Sequence, residues 1–241
     1  MAIIRLDKYL ADAGQGTRTQ VKEKIKKGMV HLNEQPVKKP DVKIDTEKDI
    51  ITVAGKQVSY SLFEYFILNK PAGVISATKD AKDKTVIDLI NVDKRRDLFP
   101  VGRLDKDTEG LLLITNDGAL ANNLLAPGKH VSKTYYARIR GLVTENMIEY
   151  FHEGVDIGDD KPTLPATLKI ICSGEESEIE LTIVEGRYHQ VKRMFQAFDM
   201  EVVYLKRLSM GPLSLDESLN KGEFRCLTED EIRMLKEVNN V

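Results

Sequence analysis

Apolar residues along this chain fall into short runs and helical spacings that are divided by turns rich in glycine, asparagine and proline. Near the N-terminus this pattern predicts helices over 7–13 and 17–27, followed by strands over 29–32, at 37 and over 50–53. Asp7 and Thr17 are the expected N-caps of the two helices, and Gly28 is expected to end the second one.

The longer remainder of the chain alternates irregularly between strand and helix patterns. Strands are predicted from Tyr65 towards a Pro-Gly turn at 71–73 and over 111–114, 133–140, 166–171 and 178–184. Helices are predicted near 86–90, 118–125 and 189–198, and in a last segment where Thr228 and Glu231 form a capping box. The sequence therefore predicts an α+β fold with a mixed, largely antiparallel sheet flanked by helices.

Charge is distributed unevenly, although the net charge is only −2. Residues 1–58 contain 12 Lys and Arg against 8 Asp and Glu, whereas the remainder contains 24 against 30. Arg18, Lys22 and Lys26 are spaced four apart, so they share one face of the second predicted helix. We refer to these three residues as the basic helix face. The asymmetry indicates a small basic docking module on a more acidic body.

Composition places the chain in the class of globular cytoplasmic proteins. No apolar run approaches the roughly 18 residues that a membrane-spanning helix needs, and the N-terminus lacks the pattern of a secretion signal. Two cysteines, Cys172 and Cys226, fit no metal spacing and suggest a reducing compartment. The four histidines are scattered, so we expect no metal site and no membrane partner.

The most informative stretch is the segment 102–118, in which a charged loop between two glycines leads into an apolar run and then an Asn-Asp-Gly turn. A buried strand that anchors a polar loop is a common way to hold a reactive carboxylate. Asp105 and Asp107 are the two candidates in the loop. By composition alone, a structural turn in which Asp105 caps backbone N–H groups is the favoured interpretation.

Two parts of the chain resemble known families. The pattern Arg-Leu-Asp-Lys-x-Leu, then Thr-Arg, then Ile-x-x-Gly-x-Val-x-x-Asn within residues 3–55 resembles the S4 RNA-binding domain. Residues 102–118 resemble the central signature of the RsuA/RluB-type pseudouridine synthases. Three further motifs are similar to that family: Leu-Asn-Lys-Pro-x-Gly from Leu68, Lys-x-Tyr from Lys133, and Glu-Gly-Arg-Tyr-His-Gln-Val-Lys-Arg-Met-Phe from Glu185.

The resemblance implies a set of catalytic residues. Asp105 corresponds to the catalytic carboxylate, and Tyr135 to the residue that lies against the target base and assists proton transfer. Lys192 corresponds to the cation paired with that carboxylate, with Arg193 as the alternative. The carboxylate has to be ionised to attack ribose C1′ or to take the C2′ proton and leave a glycal, and the sequence is compatible with both routes.

The resemblance also implies RNA contacts. Arg103 is expected to fill the gap left by a flipped nucleotide or to hold that nucleotide, and Arg187 and Arg193 are expected to contact RNA. The basic helix face is expected to bind phosphates, which position RNA without reading its sequence. His189 is expected to be structural or to contact RNA.

The implied function is isomerisation of uridine to pseudouridine in ribosomal RNA. The motif at 185–195 and the segment 161–166 favour the small-subunit 16S type, with a large-subunit 23S synthase or a non-catalytic S4-type RNA-binding protein as alternatives. We expect an S4-like domain over 1–58, a catalytic domain over 59–241, and no cofactor. The expected partner is ribosomal RNA or an assembling small ribosomal subunit, and the protein is expected to be a monomer.

Overall fold

The computed structural model describes residues 3–58, 63–91 and 97–238. The chain divides into two compact units, one of Met1–Phe63 with Asn91–Asp97 and one of Glu64–Ile90 with Leu98–Val241. Lys56–Gln57 form a strand, and residues 59–62 lie outside the described part of the chain. The predicted domain boundary at 58/59 borders that same undescribed stretch.

The first unit is built from short helices and strands. It contains β1 (Ile3–Arg5), α1 (Leu6–Asp12), α2 (Arg18–Lys26), β2 (Val30–Leu32), β3 (Gln35–Pro36), β4 (Lys43–Asp45), β5 (Ile51–Val53) and β6 (Lys56–Gln57). β1 pairs antiparallel with β4, and the other strands form an antiparallel sheet in the order β3-β2-β5-β6. The two predicted helices and the strands near 30 and 51 are therefore confirmed.

The helix ends of this unit follow one sequence prediction and correct another. Thr17 caps α2 through a capping box with Gln20, as the N-cap prediction required. Asp7 is not an N-cap, because it lies inside α1 and pairs with the Arg5 guanidinium at 2.9 Å. The hydrogen bond from Arg5 lowers the pKa of the Asp7 carboxyl. Val21 and Ile25 are fully buried, so α2 leaves the basic helix face exposed to solvent.

The second unit carries the long strands. Its elements are β7 (Tyr65–Lys70), β8 (Phe99–Pro100), β9 (Glu109–Thr115), α3 (Gly118–Leu125), β10 (Lys133–Arg140), α4 (Asn146–Glu153), β11 (Thr167–Cys172), β12 (Glu176–Ile183), α5 (Gln190–Gln196), β13 (Glu201–Met210), β14 (Leu213–Ser214), β15 (Phe224–Cys226) and α6 (Glu229–Glu237). Within the described residues, no helix is long and apolar enough to cross a membrane.

One sheet organises this unit, in the order β11-β12-β10-β13-β9-β7-β15, with β14 beside β13 and β8 beside β9. Among the described strands these pairings are antiparallel, except that β13 runs parallel to β9. The predicted mixed, largely antiparallel sheet is confirmed. All residues of β7 and β9 are buried, which explains why neither sequence shows a polar alternation.

Several elements differ from the sequence predictions. The helix expected near 86–90 is a single 3₁₀ turn, Ile87–Leu89, closed by hydrogen bonds from Thr85 to the Asp88 carboxylate. The helix expected over 189–198 is shorter, and His189 is its N-cap in a left-handed conformation. The sequence analysis overlooked α4, which begins without a side-chain cap, and the ten-residue strand β13.

Candidate active site

The carboxylate loop, residues 102–108, enters the centre of the sheet. It precedes β9, whose neighbours are β7 and β13, so the loop is anchored on a fully buried strand. Gly110 lies two residues beyond it, where β9 approaches β13 so closely that a Cβ would clash with the Arg207 carbonyl oxygen. Its φ of +99° is also one that side chains rarely adopt. Glycine is therefore required where the loop joins the sheet.

A buried lysine holds the carboxylate loop from beneath. Lys70, the last residue of β7, is 0% exposed, and its Nζ donates to the carbonyls of Pro71, Asp105 and Thr108 at 3.1, 3.0 and 2.8 Å. Burial lowers the pKa of Lys70 to about 8, although nearby carboxylates favour its charged form. At neutral pH the ammonium retains its charge and ties the end of β7 to both ends of the Asp105–Thr108 turn.

The Asp105 carboxylate faces two basic side chains from the start of α5. Lys192 Nζ lies 3.4 Å from Asp105 Oδ2, and His189 Nε2 lies 3.5 Å from Oδ1. The Asp105 side chain is 30% exposed, so its oxygens remain open to a ligand. The ion pair with Lys192 is the one implied by the family resemblance.

Lys192 also contacts the second carboxylate of the loop. Its Nζ lies 2.7 and 2.8 Å from the two oxygens of Asp107, closer than it lies to Asp105. Partial burial favours the neutral acid of Asp107, but the hydrogen bonds and charge of Lys192 outweigh it and lower the pKa of Asp107. The Asp107 side chain is 72% exposed. Lys192 therefore bridges two carboxylates, of which Asp105 is the less exposed to solvent.

Tyr135 forms another wall of the same cleft. Burial alternates along β10, so Tyr135 faces the cleft and Tyr136 the opposite side, where its hydroxyl donates to Glu178. Tyr135 is 8% exposed, and among the described residues its hydroxyl makes no hydrogen bond.

The Asp105 cleft has a volume of about 90 Å³. It is lined by Arg103, Leu104, Asp105, Thr108, Tyr135, Ile183, Gly186, Arg187, His189, Gln190, Val191, Lys192 and Leu205.

A rigid turn presents the basic residues to the cleft. Gln190, 3% exposed, accepts a hydrogen bond from the Arg187 N–H and donates to the Glu185 carboxylate. His189 adopts φ +49°, a conformation that non-glycine residues rarely adopt without support. Its ring stacks on that of Tyr188, with centroids 3.8 Å apart and planes 18° apart. The turn thereby fixes His189 between Tyr188 and Asp105.

Arg187 and Arg193 are held mainly by protein groups. Arg187 donates to the Glu185 carboxylate at 3.0 Å and to the carbonyls of Lys161 and Pro162 at 2.6 and 2.7 Å. Arg193 donates to the Asp159 carboxylate and to backbone carbonyls. Among the described residues the side chain of Arg193 thus pairs with Asp159, whereas that of Lys192 pairs with Asp105. That either arginine contacts RNA stays a prediction.

The other predicted RNA-binding residues are exposed. Arg103 lines the cleft beside Asp105, and within the described residues its guanidinium makes no hydrogen bond or ion pair. In the first unit, the basic helix face is likewise exposed and unpaired among described residues. These cations are thus available to phosphates.

Sequence reasoning missed two features of the site. Lys70 was noted only as part of the Leu-Asn-Lys-Pro-x-Gly motif and was given no role. A lysine at the end of a six-residue buried strand nevertheless indicates that its ammonium has hydrogen-bond acceptors inside the protein. Sequence reasoning also gave Tyr188 no role. Its adjacency to His189 predicts no stacking, because the stack depends on the left-handed turn at His189.

The sheet of the second unit presents a carboxylate, a cation and a tyrosine to one cleft, which is the arrangement of an enzyme active site. Residues 64–197 match the model of the RNA pseudouridylate synthase family, and residues 4–51 match the S4 domain. The chain belongs to this family of pseudouridine synthases and carries an N-terminal S4 domain. A non-catalytic S4-type protein is therefore set aside.

Several relatives match nearly the whole chain. An uncharacterised RNA pseudouridine synthase of Bacillus subtilis, YtzG, is 47% identical over 97% of this chain and 99% of its own. The ribosomal small subunit pseudouridine synthase A of Vibrio vulnificus is 39% identical (95% and 98%), and the ribosomal large subunit pseudouridine synthase B of Bacillus subtilis is 40% identical (96% and 95%). A crystal structure of a pseudouridylate synthase, 38% identical, aligns with a TM-score of 0.68 over 96% and 99%.

Proposed function

We propose that this enzyme converts a specific uridine of small-subunit 16S rRNA to pseudouridine, with Asp105 as its catalytic residue. The observation that carries the proposal is the Asp105–Lys192 pair at 3.4 Å, in a cleft that Tyr135 also lines. The motif at 185–195 and the segment 161–166 favour the 16S substrate over 23S rRNA. Relatives named for each subunit are almost equally identical, so these segments carry the choice.

In the proposed reaction the bond between ribose C1′ and uracil N1 breaks and a C1′–C5 bond forms. Asp105 either attacks C1′ and is displaced when C5 attacks, or takes the C2′ proton and returns it. C5 loses its proton and N1 gains one, so substrate and product are isomers. Both routes require the Asp105 carboxylate to be ionised.

Lys192 and Tyr135 support this chemistry in different ways. The Lys192 ammonium stabilises the ionised Asp105 carboxylate through charge. Tyr135 lies against the uracil ring, and its hydroxyl, free of protein partners among the described residues, relays the proton that C5 releases. An arginine at position 192 would carry the same charge in a planar guanidinium suited to one carboxylate. The compact ammonium of Lys192 instead contacts both Asp105 and Asp107.

The target base has to leave its stack before it can enter the cleft, at a cost of about a few kcal/mol. The exposed Arg103 guanidinium is proposed to hold the flipped nucleotide or to fill the gap it leaves. Arg187 and Arg193 are proposed as further RNA contacts at the margin of the site, and the basic helix face as a phosphate-binding surface of the S4 domain.

The proposed organisation is an S4 domain over 1–58, a catalytic domain over 59–241 and a cytoplasmic monomer that acts on ribosomal RNA or the assembling small subunit. The experiment that tests the substrate is pseudouridine sequencing of both rRNAs in cells with and without the gene. A single site lost from 16S rRNA supports the proposal. A site lost only from 23S rRNA would replace it with the large-subunit alternative.

A further inference from the structure

Tyr188 is exposed to an unusual degree for an aromatic side chain beside an active site. It is 72% exposed, and one face of its ring lies against His189. His189 in turn contacts Asp105, so an exposed aromatic ring connects through one side chain to the proposed catalytic carboxylate. The Gln190 side chain holds the backbone of the turn that carries this ring, and His189 adopts a left-handed conformation there.

A wide groove runs from the Asp105 cleft past this ring. It has a volume of about 820 Å³ and shares Arg103, Asp105 and His189 with the cleft. Tyr188 belongs to one wall, and the segments 75–78 and 99–100 contribute further lining. We refer to it as the Tyr188 groove. Its continuity with the cleft means that a polymer with one unit in the cleft would place a neighbouring unit in the groove.

The chemistry of the groove suits a nucleotide better than an apolar peptide. The free Arg103 guanidinium supplies a positive charge for a phosphate, and Thr78 adds a hydroxyl group. The paired Tyr188 and His189 rings, with planes 18° apart, offer a flat π surface. Single-stranded RNA is recognised by this combination of cations with aromatic rings on which unstacked bases lie.

We propose that Tyr188 is a stacking platform for a base that flanks the target uridine, and that it positions the RNA strand over Asp105. This inference rests on the proposed function, since the occupant is the RNA strand whose uridine enters the cleft. A flanking base on the outer face of Tyr188 extends the Tyr188–His189 stack to three rings. Tyr188 is thus a positioning residue, which acts on substrate binding and not on the bonds that break.

The test compares three substitutions of Tyr188 with a matched control. Tyr188→Ala removes the platform, whereas Tyr188→Phe and Tyr188→Trp retain a ring. Tyr150→Ala is the control, because Tyr150 on α4 is also exposed (56%) and packs on Phe198 outside the cleft and groove. All four substitutions are at exposed tyrosines, so the variant proteins are expected to fold. Affinity and single-turnover rate are measured on transcribed 16S rRNA, with 23S rRNA as a second substrate.

Stacking of one base predicts that Tyr188→Ala binds the RNA about 5- to 150-fold more weakly. Tyr188→Phe, Tyr188→Trp and Tyr150→Ala should stay within about twofold of the native enzyme. The single-turnover rate at saturating RNA should fall much less than the affinity. Equal affinity of Tyr188→Ala and the native enzyme overturns the proposal, and so does an equal loss in Tyr188→Phe, which would assign the effect to the hydroxyl group.

A second readout is independent of turnover. The chain contains no tryptophan, so Tyr188→Trp creates a single fluorescent reporter at the platform. In an Asp105→Asn background, RNA should quench this emission, and no change at saturating RNA overturns the stacking model. If the native enzyme forms no pseudouridine in either rRNA, the proposed function fails. If it is active and Tyr188→Ala behaves identically, only the platform is refuted.

Discussion

Replacing Lys70 by methionine tests whether a buried ammonium orients the carboxylate loop. The substitution retains most of the side-chain volume but removes the Nζ that donates to Pro71, Asp105 and Thr108. The backbone of Asp105 thereby loses its anchor on β7. Lys70 itself is fully buried and does not line the Asp105 cleft, so any effect on catalysis is transmitted through the loop.

The expected loss of stability follows from the carbonyls left without a donor. Each unsatisfied buried polar group costs about 1–3 kcal/mol. Part of this cost is recovered because the loop relaxes towards solvent and a buried charge is removed. Nζ also contacts the Lys106 carbonyl at 3.4 Å, but the three shorter bonds dominate. For these three we expect the free energy of unfolding to fall by about 3–5 kcal/mol in Lys70→Met.

The pH dependence separates catalysis from stability. Burial lowers the pKa of Lys70 from 10.5 to about 8. Between these values the unfolded chain binds more protons than the folded one, so this group makes the free energy of unfolding rise with pH, by at most about 3 kcal/mol. Deprotonation also removes one donor from the loop. Turnover should therefore decline with a midpoint near pH 8. Over the same pH range, the deprotonation of Lys70 should raise the free energy of unfolding.

The assay is the single-turnover rate as a function of pH for the native enzyme and two variants. Lys133→Met is the matched control, because burial also lowers the pKa of Lys133 to about 8, yet its Nζ donates to the Val131 carbonyl and not to the loop. The native enzyme and Lys133→Met should share the alkaline decline, and Lys70→Met should lack it. A decline that persists in Lys70→Met, or disappears in Lys133→Met, would refute the reasoning.

Three further predictions follow from the fold and surface. Gly110→Ala should destabilise the enzyme by about 3–5 kcal/mol in denaturant unfolding, because its Cβ meets Arg207, whereas Gly118→Ala at the start of α3, with open space around it, should be neutral or stabilising. Replacing the basic helix face by alanine should flatten the slope of log affinity against log salt by about 0.7–0.9 for each RNA phosphate that is deprived of its cation, and an unchanged slope would exclude this surface. Dialysis against a chelator, with spermidine added to keep the RNA folded, should leave activity intact; rescue by divalent metal alone on an unstructured substrate would contradict this.

Short sequence patterns correctly predicted the elements whose boundaries depend on neighbouring residues. Thr17 and Thr228 cap their helices as predicted. The strand β13 escaped prediction because its burial comes from two strands distant in sequence, β9 and β10. A single-sequence reading has no access to such pairings.

The candidate site divides in the same way. The motif resemblance brought Asp105, Tyr135 and Lys192 together, and the structure places their side chains around one cleft. It did not anticipate that Lys192 also holds Asp107, or that Lys70 reaches the loop from β7, since both contacts link segments at least 35 residues apart. Long-range geometry therefore added the supporting residues to a site whose chemistry short motifs had indicated.

The most direct test of the central claim compares Asp105→Asn with Asp107→Asn. Both substitutions retain shape, and both remove a carboxylate that contacts Lys192 from the same loop. The measurement is release of tritium from C5-labelled uridine in 16S rRNA, alongside RNA affinity. We expect Asp105→Asn to bind RNA normally and release none above trace, and Asp107→Asn to retain its rate within about tenfold. Tritium release by Asp105→Asn at a rate near that of the native enzyme would contradict the assignment of Asp105 as the catalytic residue.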